Sequence, residues 1–135
     1  MFQLAKILYS GSNQPEPLRI TGTSGESYTR GQPMKLVDGI LTKVPAGEMP
    51  THMTMETKTV QKEGDTVLCY AITPNMIFDV VCYEDIIGEF SGRKINLYGS
   101  STNWIGVGAK AGSVATVYDA KRAKISGDHI QIRFI

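Results

Sequence analysis

The chain has 135 residues, 41 % of them hydrophobic and 20 % charged, with a formal net charge of +1. That balance describes one soluble globular domain and excludes a disordered chain, a strongly basic nucleic-acid footprint and an acidic solvating tail. No apolar run approaches the roughly 18 residues of a membrane helix, and the opening Met1-Phe2-Gln3-Leu4-Ala5-Lys6-Ile7-Leu8 is too short, and too interrupted by Lys6, for a signal-peptide core.

No window of a dozen residues carries an apolar stripe at helical spacing, so the pattern predicts an all-β chain. Phe2 to Tyr9 reads as a first strand. Residues 10 to 32 are polar, rich in glycine and punctuated by Pro15 and Pro17, with Leu18, Ile20 and Tyr28 as the only anchors. Such a stretch is either a loose surface loop or an arm that orders on a neighbouring subunit. The sequence leaves both open, and divides the chain into a strand-plus-arm over 1–32 and a β-barrel-like domain over 33–135.

Within that domain, Met34 to Val37 and Ile40 to Val44 form a predicted hairpin around Asp38-Gly39, the dipeptide a type I′ turn favours. Met53 and Met55 alternate with His52, Thr54 and Glu56, which predicts a strand with the histidine on its polar side. Thr66 to Ile72 and Met76 to Tyr83 are apolar on nearly both faces, as central strands are, and flank the turn Thr73-Pro74-Asn75. Glycine turns at Gly64, Gly92 and Gly127 launch strands, Val114 to Asp119 adds one, and Ile130, Ile132 and Phe134 mark the core face of the last. About eight short strands at this spacing indicate a compact barrel, sandwich or tulip-like domain.

Gly99 to Gly112 reads as a second irregular region, containing Trp104, Ile105 and Val107. Its tryptophan either plugs the end of the core or presents an exposed contact of the kind found at interface hot spots. Together with the anchors of the 10–32 segment, Trp104 and Ile105 complete a set of candidate protein-binding residues: Pro15, Pro17, Leu18, Ile20, Tyr28, Trp104 and Ile105.

Signals for chemistry are weak. The two cysteines, Cys69 and Cys82, lie in apolar runs with no metal-ligand spacing, and read as buried thiols in a reducing compartment. His52 and His129 are too few for a typical metal site. Gly106 to Gly112 lacks the Gly-Lys-Ser/Thr ending of a phosphate loop, and the nucleophile elbow is not formed around Ser24. Lys121, Arg122 and Lys124 read as a solvated loop, and the scattered tyrosines do not track the basic residues as in an oligonucleotide-binding barrel. The expectation is a protein without catalytic activity or cofactor that works by binding other protein surfaces.

The runs Gly31-Gln32-Pro33-Met34-Lys35-Leu36-Val37-Asp38-Gly39-Ile40-Leu41-Thr42-Lys43, Gly64-Asp65-Thr66-Val67, Ile72-Thr73-Pro74-Asn75-Met76-Ile77-Phe78-Asp79 and Gly127-Asp128-His129-Ile130-Gln131-Ile132-Arg133-Phe134 follow one another in a telling order. This order resembles that of small head-decoration proteins of tailed bacteriophages, over about residues 31 to 134. The resemblance implies a β-barrel-like or tulip-like protein on the capsid exterior, made in the host bacterial cytoplasm. It would often be trimeric, and would bridge subunits of the major capsid protein against internal DNA pressure, with no direct contact to nucleic acid or membrane. The strand at Phe2 to Tyr9 departs from the plain flexible arm of that pattern. Competing expectations are another β-rich virion component, such as a tail-tube, tail-terminator or connector protein, and a carbohydrate-binding module for which Trp104 and Asp119 would be the contact pair.

Overall fold

The computed structural model describes residues 1–9, 14–100 and 103–134. The chain is all-β. In order, the strands are β1 (Gln3–Ile7), β2 (Leu18–Gly22), β3 (Ser27–Tyr28), β4 (Pro33–Val37), β5 (Ile40–Lys43), β6 (His52–Thr54) and β7 (Lys58–Thr59). They continue with β8 (Thr66–Ala71), β9 (Met76–Val81), β10 (Lys94–Ser100), β11 (Asn103–Ala111), β12 (Ala115–Asp119) and β13 (His129–Phe134).

Five strands close into a barrel in the order β2-β5-β4-β6-β8. Its hairpin, β4–β5, turns through Asp38 and Gly39 at φ of 51° and 78°, the left-handed pair that a type I′ turn needs. Closure comes from β2, which runs parallel to β5 and antiparallel to β8. Tyr28, Met34, Leu41, Val60, Val67 and Cys69 fill the interior, with Ile20 packed against them. Gly22 must be glycine because a Cβ there would stand 2.6 Å from a methyl of Val60.

The remaining long strands form a six-stranded sheet in the order β1-β9-β13-β12-β10-β11. This sheet curls. Just past β9, Cys82 bridges Val107 of β11, and the Tyr83 N–H donates to the Val107 carbonyl at 3.0 Å. So close an approach leaves no room for a side chain at positions 106 and 108 of β11. A Cβ at Gly106 would collide with the Val81 carbonyl and lie 2.7 Å from the Tyr83 ring, and one at Gly108 would collide with the Glu84 carboxylate. Inside, Phe78 meets Phe134 edge to face at 5.4 Å, and Phe134 in turn meets Phe2 at 5.7 Å.

The barrel and the curled sheet share one wall. Met53 of β6 faces Tyr70 of β8, and both side chains belong to the core of the six-stranded sheet. Tyr70 stacks on Phe78 of that sheet at 6.5 Å. Cys69 and Val67, on the opposite face of β8, point into the barrel. A second tie is Trp104 of β11, whose indole N–H donates to the Val44 carbonyl at 2.8 Å.

The fold revises or decides four points of the sequence reading. First, the 10–32 arm does not exist as a unit. Residues 10–13 lie outside the described residues, but β2 is a barrel strand and β3 pairs with β7. Residues 29–32 are clamped by Thr54, whose hydroxyl donates to the Thr29 carbonyl and accepts from the Gln32 N–H at 2.9 Å. A boundary at residue 32 would cut through the barrel. Second, β10 (Lys94–Ser100) and β11 (Asn103–Ala111) pair antiparallel with each other, because the glycines that suggested irregularity serve close packing instead. Third, β8 and β9 do not pair with each other. The turn at Thr73 to Asn75 carries the chain from one sheet to the other. Fourth, His52 and Thr54 are buried, since β6 is covered on both faces.

Gly106→Ala is expected to cost about 1–3 kcal/mol, because the backbone facing it cannot move aside without breaking the Cys82–Val107 bridge. Trp104→Phe is expected to cost a similar ~1–3 kcal/mol by leaving the Val44 carbonyl unpaired. Urea unfolding midpoints of the two variants against the parent measure both effects.

Candidate functional site

The barrel hairpin extends past the barrel core. At its turn end, Leu36 pairs with Leu41 and Val37 with Ile40. Leu41 is fully buried, whereas Leu36, Val37 and Ile40 are 37 %, 42 % and 40 % exposed. The reason is local: residues that flank a two-residue turn project beyond the last layer of side chains that could cover them. Leu18, at the start of the neighbouring strand β2, is also exposed. Two charged side chains further along the hairpin are paired, Lys35 with Glu48, and Lys43 with Glu26 at 3.1 Å, and Asp38 lies in the turn itself. Apolar side chains among charged ones have the composition of an interface centre with a polar rim.

The candidate binding residues taken from the sequence are not brought together. Tyr28 is 1 % exposed, its hydroxyl donating to the Leu41 carbonyl at 2.8 Å and accepting from the Thr23 N–H at 2.8 Å. Trp104 is 7 % exposed and holds the two sheets together. Both are interior anchors, Trp104 taking the core-plug alternative that the sequence offered, because each ring is packed and each polar atom already satisfied. Ile20 packs against the barrel core, and Ile105 is half-buried in β11. Pro15 borders a cleft between the two sheets, Pro17 is exposed, and Leu18 is exposed on β2, the strand adjoining the hairpin.

The residues missed were Leu36, Val37 and Ile40. A signal existed: three apolar side chains immediately flank Asp38-Gly39, where a turn leaves little of the core within reach.

The titratable groups are arranged for packing. Burial pushes the Cys69 thiol up to about 11 and raises that of Cys82, so both stay protonated near neutrality and are poor nucleophiles. Glu84 is tied to the Ala109 N–H at 2.8 Å and lies beside Lys110. His129 approaches Asp79 at 2.8 Å on the outer face of the six-stranded sheet. Trp104 and Asp119, the pair suggested for sugar binding, differ in setting, one in the interior and the other exposed. Among the described residues no three His, Cys, Asp or Glu side chains are grouped to hold a metal ion, and no helix is long and apolar enough to cross a membrane.

Compared with known proteins, the chain matches no family model and no curated protein.

His52, only 8 % exposed, has its imidazole pKa lowered from the ordinary 6.5 by burial, which disfavours the cation. The unfolded chain therefore binds a proton more readily than the folded one. The stabilising contribution of neutral His52 is complete above about pH 6.5 and is lost as pH falls through the lowered folded value. Urea midpoints measured from pH 7.5 downward to pH 5, roughly one and a half units below the ordinary histidine value, are expected to fall, and to fall less in His52→Gln.

Proposed function

We propose that this protein is a phage capsid decoration protein, a structural virion component that binds the outer capsid surface and bridges subunits of the major capsid protein. The observation that carries the reading is the exposed apolar end of the β4–β5 hairpin, where Leu36, Val37 and Ile40 cluster around the turn. The hairpin run is also part of the sequence order that resembles decoration proteins. The docking surface in this reading is a hairpin end, in place of the 10–32 segment and the Trp104 region to which the sequence pointed.

The physical requirement on such a protein is modest per copy. Covering the exposed parts of three aliphatic side chains contributes on the order of 2–4 kcal/mol. Repetition over symmetric copies, and linkage of several contacts within a trimer, turns a weak contact into durable attachment. A pre-formed hairpin loses little conformational entropy on docking, so more of that gain is retained.

The test is co-sedimentation with expanded capsids assembled from the cognate major capsid protein. The parent chain is expected to pellet with the capsids. A Val37→Lys/Ile40→Lys double variant, still folded because both positions are exposed, is expected to bind at least about tenfold more weakly. Light scattering is expected to give the mass of a trimer. Equal binding of the double variant removes the hairpin from the interface, and failure of the parent chain to pellet rejects the decoration role.

A further inference from the structure

Between the barrel and the six-stranded sheet lies a cleft of about 620 Å³, bounded by Phe2 and Leu4 on the side of β1 and by Arg30, Gly31, Met55 and Tyr70 on the side of the barrel. That volume is in the range of about 300–1,000 Å³ common to ligand sites. Three features of its lining point to one kind of occupant.

One feature is charge. Arg30 lines the cleft, no aspartate or glutamate does, and Arg30 joins none of the ion pairs formed among the described residues. Another is the Tyr70 hydroxyl. The ring is buried against Phe78, but the hydroxyl makes no hydrogen bond to the described residues. Burial raises its pKa and the nearby Arg30 opposes that rise, so the phenol is a neutral donor beside a cation.

The third feature is backbone. β1 ends its sheet, pairing with β9 on one side only. In an antiparallel pair, alternate residues direct their N–H and C=O away from the partner. Phe2 already uses that outward edge, donating its N–H to the Gly31 carbonyl at 2.9 Å. Two residues on, Leu4 carries the next outward-directed groups, and it borders the cleft. Beyond Leu4 a bulge and then Lys6 interrupt the edge, so only a short stretch is open to pairing.

We propose that this cleft receives a short extended acidic peptide of another protein, which adds to the free edge of β1 at Leu4 and seats a carboxylate between Arg30 and the Tyr70 hydroxyl. Strand addition supplies main-chain hydrogen bonds, and alternate side chains of the guest reach into the cleft to select its sequence. Arg30 and Tyr70 then supply the charge-assisted donors that a neutral peptide cannot use. The inference is independent of the capsid reading, since it concerns a different face.

The test is calorimetric titration of the full chain with the capped peptide Ac-Val-Glu-Val-Glu-Val-NH2. Its glutamine analogue, an analogue N-methylated at alternate residues and sodium decanoate serve as comparisons. The acidic peptide is expected to bind, and Arg30→Gln to weaken it about tenfold. Tyr70→Phe, which keeps the packed ring, is expected to weaken it about threefold. Unchanged urea midpoints establish that both variants are folded. No binding of the acidic peptide, equal binding of the glutamine analogue, or indifference to Arg30→Gln overturns the carboxylate site. Equal binding of the N-methylated peptide, or of decanoate, overturns strand addition at β1. A guest that proves to be a second copy of the chain, seen as concentration-dependent dimerisation lost in Arg30→Gln, overturns the assignment to another protein.

Discussion

Strands β6 and β8 carry buried side chains on both faces because each face meets a different core. Val67 and Cys69 face the barrel, and Met53 and Tyr70 face the aromatic core around Phe78 and Phe134. A sheet with two dry faces cannot slip by one residue, since a slip would exchange the two sets of side chains. This shared wall sets the register of the barrel, seats the curled sheet against it, and explains why a histidine and a threonine on β6 are buried with their hydroxyl and ring nitrogen hydrogen-bonded.

Around that wall the chain removes its own flexibility. Gly106 admits the Val81 carbonyl and the Tyr83 ring against β11, Gly108 admits the Glu84 carboxylate, and Trp104 links that strand to the barrel at Val44. Thr54 clamps residues 29 to 32, and Phe2 bonds to Gly31. Among the exposed apolar side chains, Leu36, Val37 and Ile40 cluster at the end of the β4–β5 hairpin. The proposed capsid contact uses this rigidity: a pre-formed surface docks without the ordering cost that a disordered arm would bear. The cleft beside β1 is a second feature of the same construction. It exists because the barrel and sheet diverge where β1 ends its sheet, leaving backbone, a cation and a phenol facing one another.

Much of the strand content was legible in the sequence. The Asp38-Gly39 turn, the Gly64 and Gly127 strand starts, and the alternation of Ile130, Ile132 and Phe134 depend on neighbouring residues alone, and each stands in the fold as read. The thirteen strands among the described residues exceed the eight expected because pieces such as β3 and β7 are two-residue pairs with no periodicity to detect.

The partnership of strands was not legible, and neither was the candidate site. Nothing local distinguishes β8 and β9 as members of different sheets, since a turn at Thr73 to Asn75 serves a hairpin and a crossover equally well. A glycine required by a passing backbone has the same letter as a glycine in a loose loop, so Gly106 and Gly108 read as irregularity. Tyr28 and Trp104 carry hydrophobic area with a polar atom, and only long-range packing decides whether that atom meets a partner protein or the carbonyls of Leu41 and Val44. The sequence by itself determined an all-β chain, its main turns and its buried thiols, because those follow from side-chain period and backbone preference. The tertiary structure alone decided which apolar residues stay exposed, because exposure depends on what the rest of the chain brings to cover them.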